Sequence, residues 1–177
     1  LFNSIKKKVH NLGLCLALRD FLLAETEDLP KIRIFEILDI DSFEAFYKLD
    51  KSLADNISSI FIKWASSTSL DFSFCDVVAR RILTIYNISD NCEVKAHCLI
   101  AFLLLGTSHN RWYVEKLFYK MCSYPLENEV ESLLIQKMEH DPYTTCKAIK
   151  NLEESINVDR KCLNAKIAKT LEVICND

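Results

Sequence analysis

The sequence predicts an all-α chain, roughly eight to ten helices with short polar connections, stacked in antiparallel pairs. Three observations carry this. Apolar residues recur at three- and four-residue spacing along almost the whole chain. Glycine occurs twice and proline three times in 177 residues. Sheets use these residues in their turns, so their scarcity leaves helices with tight polar joints. Half of the residues are hydrophobic, enough for one sizeable core without metals or disulfides. The chain is therefore expected to be a single domain over residues 1–177, with N-terminal helices in 1–50 and stacked helical pairs in 51–177. Because it begins at Leu1 rather than methionine, it is expected to be a piece of a larger protein.

The first helix is expected over Ser4–Ala24, burying Ile5, Val9, Leu12, Leu16 and Leu23. Past Leu12 its other faces are apolar too, so that half should be covered on more than one side. Pro30 opens a short helix through Leu38. Asp41-Ser-Phe-Glu44 reads as a capping box for the next helix, which ends near Leu49. From Ser52 to Ala65 one face carries Leu53, Ile57, Ile60, Phe61 and Trp64, and the other Asn56, Ser59 and Lys63. A helix capped at Ser73–Asp76 runs to Tyr86, with Phe74, Val78, Ile82 and Ile85 inward and Arg80, Arg81 and Thr84 outward. Asp90–Glu93 caps a helix through Leu105 that is apolar all round, which places it in the middle of the fold. Gly106 supplies its left-handed stop. Asn110–Met121 follows, with Val114, Leu117, Phe118 and Met121 as its core stripe. Pro125 and Asp141-Pro142 start two further helices, and Asp159 caps the last.

From Ser52 onward, alternate helix starts are spaced by roughly 32 to 39 residues, the span of two-helix repeats. These helix and loop lengths over about residues 52–175 resemble the HEAT and armadillo helical-repeat arrays. The tetratricopeptide pattern and the ankyrin Thr-Pro-Leu-His are absent. The resemblance implies a right-handed stack of antiparallel helix pairs, an α-solenoid. A globular multi-helix bundle is the alternative, because antiparallel bundles have similar lengths.

Several chemistries are excluded. Gly13 and Gly106 lie too far apart for a phosphate-cradling loop. Cys92 is five residues from His97 and six from Cys98, not the three or four that put two zinc ligands on one helix face. Ser4-Ile-Lys-Lys7 lacks the companion motifs of the acyl-transfer enzymes, and Glu153-Glu154 reads as a solvated face. No cofactor is expected. The eight cysteines are scattered singly through apolar stretches, the usage of reduced, buried thiols in an intracellular protein. The sequons Asn56-Ile-Ser58 and Asn87-Ile-Ser89 are no more than chance would supply. Leu12–Leu23 is too short and too charged to cross a bilayer.

The function expected is a non-enzymatic protein-interaction scaffold, nuclear or cytoplasmic, that accepts a partner's helix or extended peptide. On the helix from Asn110 the core stripe leaves Trp112, Lys116 and Tyr119 on the opposite side, a candidate partner-binding ridge. Packing against a neighbouring repeat is its rival reading. The alternative function is a nucleic-acid-associated module using Lys6, Lys7, Lys8, Arg80 and Arg81. A net charge of -3 argues against it.

Overall fold

The computed structural model describes residues 12–24, 33–34, 38–67, 72–105 and 112–176. Among them the chain is all-helical, with nine α-helices and no strand. In chain order these are α1 (Leu12–Leu23), α2 (Ile40–Leu49), α3 (Lys51–Ser67), α4 (Phe72–Ile88), α5 (Cys92–Leu105), α6 (Trp112–Cys122), α7 (Asn128–His140), α8 (Pro142–Ile156) and α9 (Ala165–Cys175). A 3-10 turn at Arg160–Cys162 separates α8 from α9.

Short polar side chains punctuate the helices, though not always those the sequence singles out. Asp39 caps α2, its Oδ1 accepting from Ser42 N at 3.1 Å, so Asp41 lies inside the first turn and the expected capping box does not form. Asp50 ends α2 with its backbone N–H on the Phe46 carbonyl and starts α3 by accepting from Leu53 N. One residue thus serves two helix ends, and the joint between them needs no glycine. Asn91, within the expected capping stretch, accepts from Val94 N and opens α5. Asp141 caps α8 at Thr144 N, with Pro142 in the first turn as expected. Asp159 caps only the 3-10 turn, and Asn164 is the residue that caps α9. The backbone N–H of Asn164 also donates to the Cys122 carbonyl at 2.8 Å, which ties the start of α9 to the end of α6. The helix end at Asn157 takes the left-handed conformation with φ 51°, which asparagine tolerates better than most residues. Gly106 lies outside the described residues.

The packing partners alternate. Helices α1, α3, α5, α7 and α9 each touch the next odd-numbered helix, and α2, α4, α6 and α8 each touch the next even-numbered one. Consecutive helices also meet, as at α2–α3, α4–α5, α5–α6 and α8–α9. One continuous core therefore runs from Cys15 in α1 to Cys175 in α9. Helix α5 lies at its centre, in contact with α3, α4, α6, α7 and α8. Val94, Ala96, Cys98, Leu99, Ala101, Phe102, Leu103 and Leu105 are all buried.

At α1 the expected face is the wrong one. Cys15, Leu18 and Leu22 are buried, whereas Leu12, Leu16 and Leu23 are exposed. Both sets have helical spacing and both are apolar, so contact with α3 decides which turns inward. Ile5 and Val9, and the helix expected from Pro30, lie outside the described residues apart from isolated positions.

Replacing Leu99 or Phe102 in α5 by alanine should destabilise the protein by about 2–5 kcal/mol, since both are fully buried. Urea denaturation of the two variants beside an exposed-site control, Lys147→Ala, measures this.

Candidate functional site

Helix α3 has one face that does not enter the core. Ser52, Asn56, Ser59 and Lys63 follow one another at four-, three- and four-residue steps, one line along the helix. Glu93, His97 and Ile100 make a similar line on α5. The two lines border two open cavities that share no lining residue and have the Glu93–Lys137 ion pair between them, and together these make up the groove. At one end Ser52, Asp55, Asn56 and Ser59 face Asn91, Glu93 and Val94 around a cavity of about 520 Å³. At the other end Lys63 faces His97 and Ile100 of α5 and Gln136, Lys137 and His140 of α7, around a cavity of about 570 Å³. Early residues of α3 meet early residues of α5 and later residues meet later ones, so the two helices run the same way.

The groove has opposite charge at its ends, and a titratable cluster joins them. The Lys137 ammonium donates to Glu93 Oε1 at 2.6 Å, and His97 Nε2 lies 3.5 Å from the same oxygen. The Lys137 contact holds the Glu93 carboxyl below its ordinary range. His97 is shifted down from 6.5, chiefly by desolvation and then by Lys137, with Lys63 adding to the effect and Glu93 opposing it. Burial first, and the neighbouring lysines second, thus disfavour the protonated imidazole.

The acidic end is braced from beneath. The Tyr47 hydroxyl of α2 donates to Asp55 Oδ1 at 2.7 Å, and the Ser89 hydroxyl donates to the same oxygen at 2.8 Å. Tyr47 Oη also lies 3.1 Å from Ser58 Oγ. Ser89 Oγ in turn accepts from Asn91 N, beside the cap of α5. Desolvation pushes the Tyr47 phenol well up, so it stays a neutral donor. Ser58 and Ser89, the third residues of the two sequons, are therefore buried structural hydroxyls that lock α2, α3 and the α5 cap together.

The predicted ridge is not brought together at the surface. Lys116 is exposed, but Tyr119 is buried, its hydroxyl 3.5 Å from Glu153 Oε1 on α8. Helix α6 touches α4, α5 and α8, so the line opposite its first core stripe is also covered. The side chain of Trp112 lies outside the described residues, as does that of Val114. Glu153 is not on a solvated face either: its carboxylate accepts from Arg160 Nε at 2.8 Å and Nη2 at 3.2 Å. The basic patch also divides. Arg80 is exposed while Arg81 is buried, three residues after Val78 and four before Ile85 on the core face of α4. Lys6, Lys7 and Lys8 lie outside the described residues. Cys92, at the start of α5, has its thiol raised by desolvation and by the Glu129 carboxylate, the reverse of what a nucleophile needs. Burial pushes Cys122 up to about 12. No disulfide joins any of the eight cysteines, and the described residues contain no group of three or more metal-ligating side chains.

No protein-family model matches the chain, and no curated protein or solved structure was found to resemble it.

Two outcomes follow from this geometry. Tyr119→Ala should cost stability as a core truncation does, about 3–5 kcal/mol, whereas Tyr119→Phe should cost little because the hydroxyl bond is long; paired thermal melts compare them. His97 has a lowered pKa, so the unfolded chain takes up the proton first. Its contribution is therefore complete above 6.5 and is lost as pH falls below that value. Denaturation of His97→Gln at a series of pH values should show a shallower loss of stability between about pH 6.5 and 5 than the parent, given the usual histidine range.

Proposed function

We propose that this chain is a non-enzymatic protein-interaction scaffold whose docking surface is the groove along α3, α5 and α7. The observation that carries the reading is the groove itself: a line of exposed or half-buried polar side chains on helices whose opposite sides are locked in a common core. Ser52, Asn56 and Lys63 are exposed and contribute no side chain to the core, whereas Ile57 and Phe61 on the same helix are fully buried. A surface held this way loses little conformational entropy when it meets a partner, which favours binding.

The architecture proposed is a right-handed α-solenoid of HEAT or armadillo type. Its support is the alternation of contacts, odd helix on odd and even on even, which stacked helix pairs produce and an up-and-down bundle does not require. An intracellular setting is proposed from cysteine usage. Cys15, Cys75, Cys98, Cys122 and Cys175 are buried among apolar neighbours, where cysteine acts as a small hydrophobe. No helix among the described residues is long and apolar enough to cross a membrane. Glu93, Lys137 and His97 contact one another within the groove, which fits recognition better than turnover. The nucleic-acid reading is weakened because Arg81 belongs to the core.

A side chain that fills the groove without altering its charge tests the proposal. Ser59→Tyr should leave the melting temperature within about 2 °C of the parent, as surface substitutions do. It should also abolish recovery of cross-linked partner proteins from cell extract. Unchanged recovery with an unchanged melt would place any docking surface elsewhere.

A further inference from the structure

We propose that the groove reads an extended peptide segment by two opposite charges set about four residues apart: a basic side chain at Asp55, and an acidic side chain at Lys63 and His140, on either side of the Glu93–Lys137 ion pair. This rests on the groove being the docking surface and specifies what it accepts.

The spacing comes from helix geometry. Asp55 and Lys63 are eight residues apart on α3, about 12 Å at the rise of an α-helix. An extended peptide covers about 3.3–3.6 Å per residue, so some four residues bring its side chains from one charge to the other. The walls between are suited to a peptide backbone. Asn56 and Ser59 carry amide and hydroxyl groups that donate and accept, and Ile100 gives the basic end an apolar wall.

The charges are arranged to discriminate. At one end both ionisable side chains, Asp55 and Glu93, are carboxylates. Asp55 cannot swing away, because Tyr47 and Ser89 hold its Oδ1. At the other end lysines 63 and 137 and histidines 97 and 140 converge on one cavity. Without a ligand, Glu93 and Lys137 neutralise each other across α5 and α7. A peptide in register meets Asp55 at one end and Lys63 with His140 at the other, while one carrying two like charges meets repulsion at one end. The titratable groups around His97 are Glu93 on its own helix, Lys137 and His140 on α7 and Lys63 on α3. An acidic side chain arriving beside them supplies negative charge and raises the His97 pKa.

The probes are synthetic pentapeptides of threonine and valine with lysine at one end and glutamate at the other, in both orders. Controls carry lysine at both ends, glutamate at both ends, or the same two charges on adjacent residues. Titration of the isotopically labelled full chain is followed by NMR at millimolar peptide. The expected result is that one order shifts the amides of Asn56, Ser59 and Val94 and raises the His97 imidazole pKa. Each control should bind about fivefold more weakly per charge lost, the upper end for an exposed ion pair. Lys63→Glu should reverse the ranking at its end, making the doubly basic peptide the better ligand, with the melt unchanged. Equal or undetectable binding of all the peptides, or no change in ranking with Lys63→Glu, would overturn the proposal. If Ser59→Tyr still blocks partner recovery in that case, the groove remains the docking surface and only the charge register falls.

Discussion

Helix α5 carries apolar side chains on every side of its axis, so water can be excluded from it only by neighbours on every side. Five other helices supply them. Fully burying one large aliphatic or aromatic side chain is worth about 1.5–3 kcal/mol. With Leu99, Phe102 and Leu103 all buried, no arrangement that exposes α5 competes. The positions of α3, α4, α6, α7 and α8 then follow from the need to cover it.

The groove is a by-product of that covering. Helices α3 and α7 both pack on α5, and helices are round, so their outer surfaces leave a furrow above the contact. Along the furrow α5 contributes Glu93 and Val94 at one cavity and His97 and Ile100 at the other. Lys95 pairs with Glu127 at 2.9 Å and sits 5.5 Å over the Tyr86 ring, while Lys137 crosses to Glu93. Surface pairs of this kind contribute little to stability. Of the two, the Lys137–Glu93 pair borders the groove, where Lys137 lowers the Glu93 carboxyl and adds to the desolvation that lowers His97.

Beneath the acidic end, the Tyr47–Asp55–Ser89 network has the opposite character. Its hydroxyls are buried and satisfied, and leaving any one unpaired would cost about 1–3 kcal/mol. Such a network specifies one geometry where apolar packing would tolerate several. The side chain that lines the groove at Asp55 is therefore held by the same bonds that join α2, α3 and the α5 cap.

The helical class, most helix positions and the centrality of α5 were legible in the sequence, because periodicity, proline and glycine scarcity and an apolar run are local properties of the chain. So was the polar line of Asn56, Ser59 and Lys63. What needed the tertiary structure was every choice between equally good faces. Cys15, Leu18 and Leu22 rather than Leu12, Leu16 and Leu23 turn inward: both stripes are apolar, and among the described helices it is packing on α3 that distinguishes them. Tyr119 and Arg81 are buried because their helices have neighbours on more than one side, which no single-helix pattern records. Caps were ambiguous for a related reason: Asp39 and Asp41, or Asp159 and Asn164, are chemically equivalent candidates a few residues apart, and the helix axis set by packing selects one. The groove joins residues 52–63, 91–100 and 136–140. Sequence spacing fixes the line on each helix, but only the packing of α3 and α7 on α5 sets those lines side by side, since charges on separate helices have no mutual distance until the core has formed.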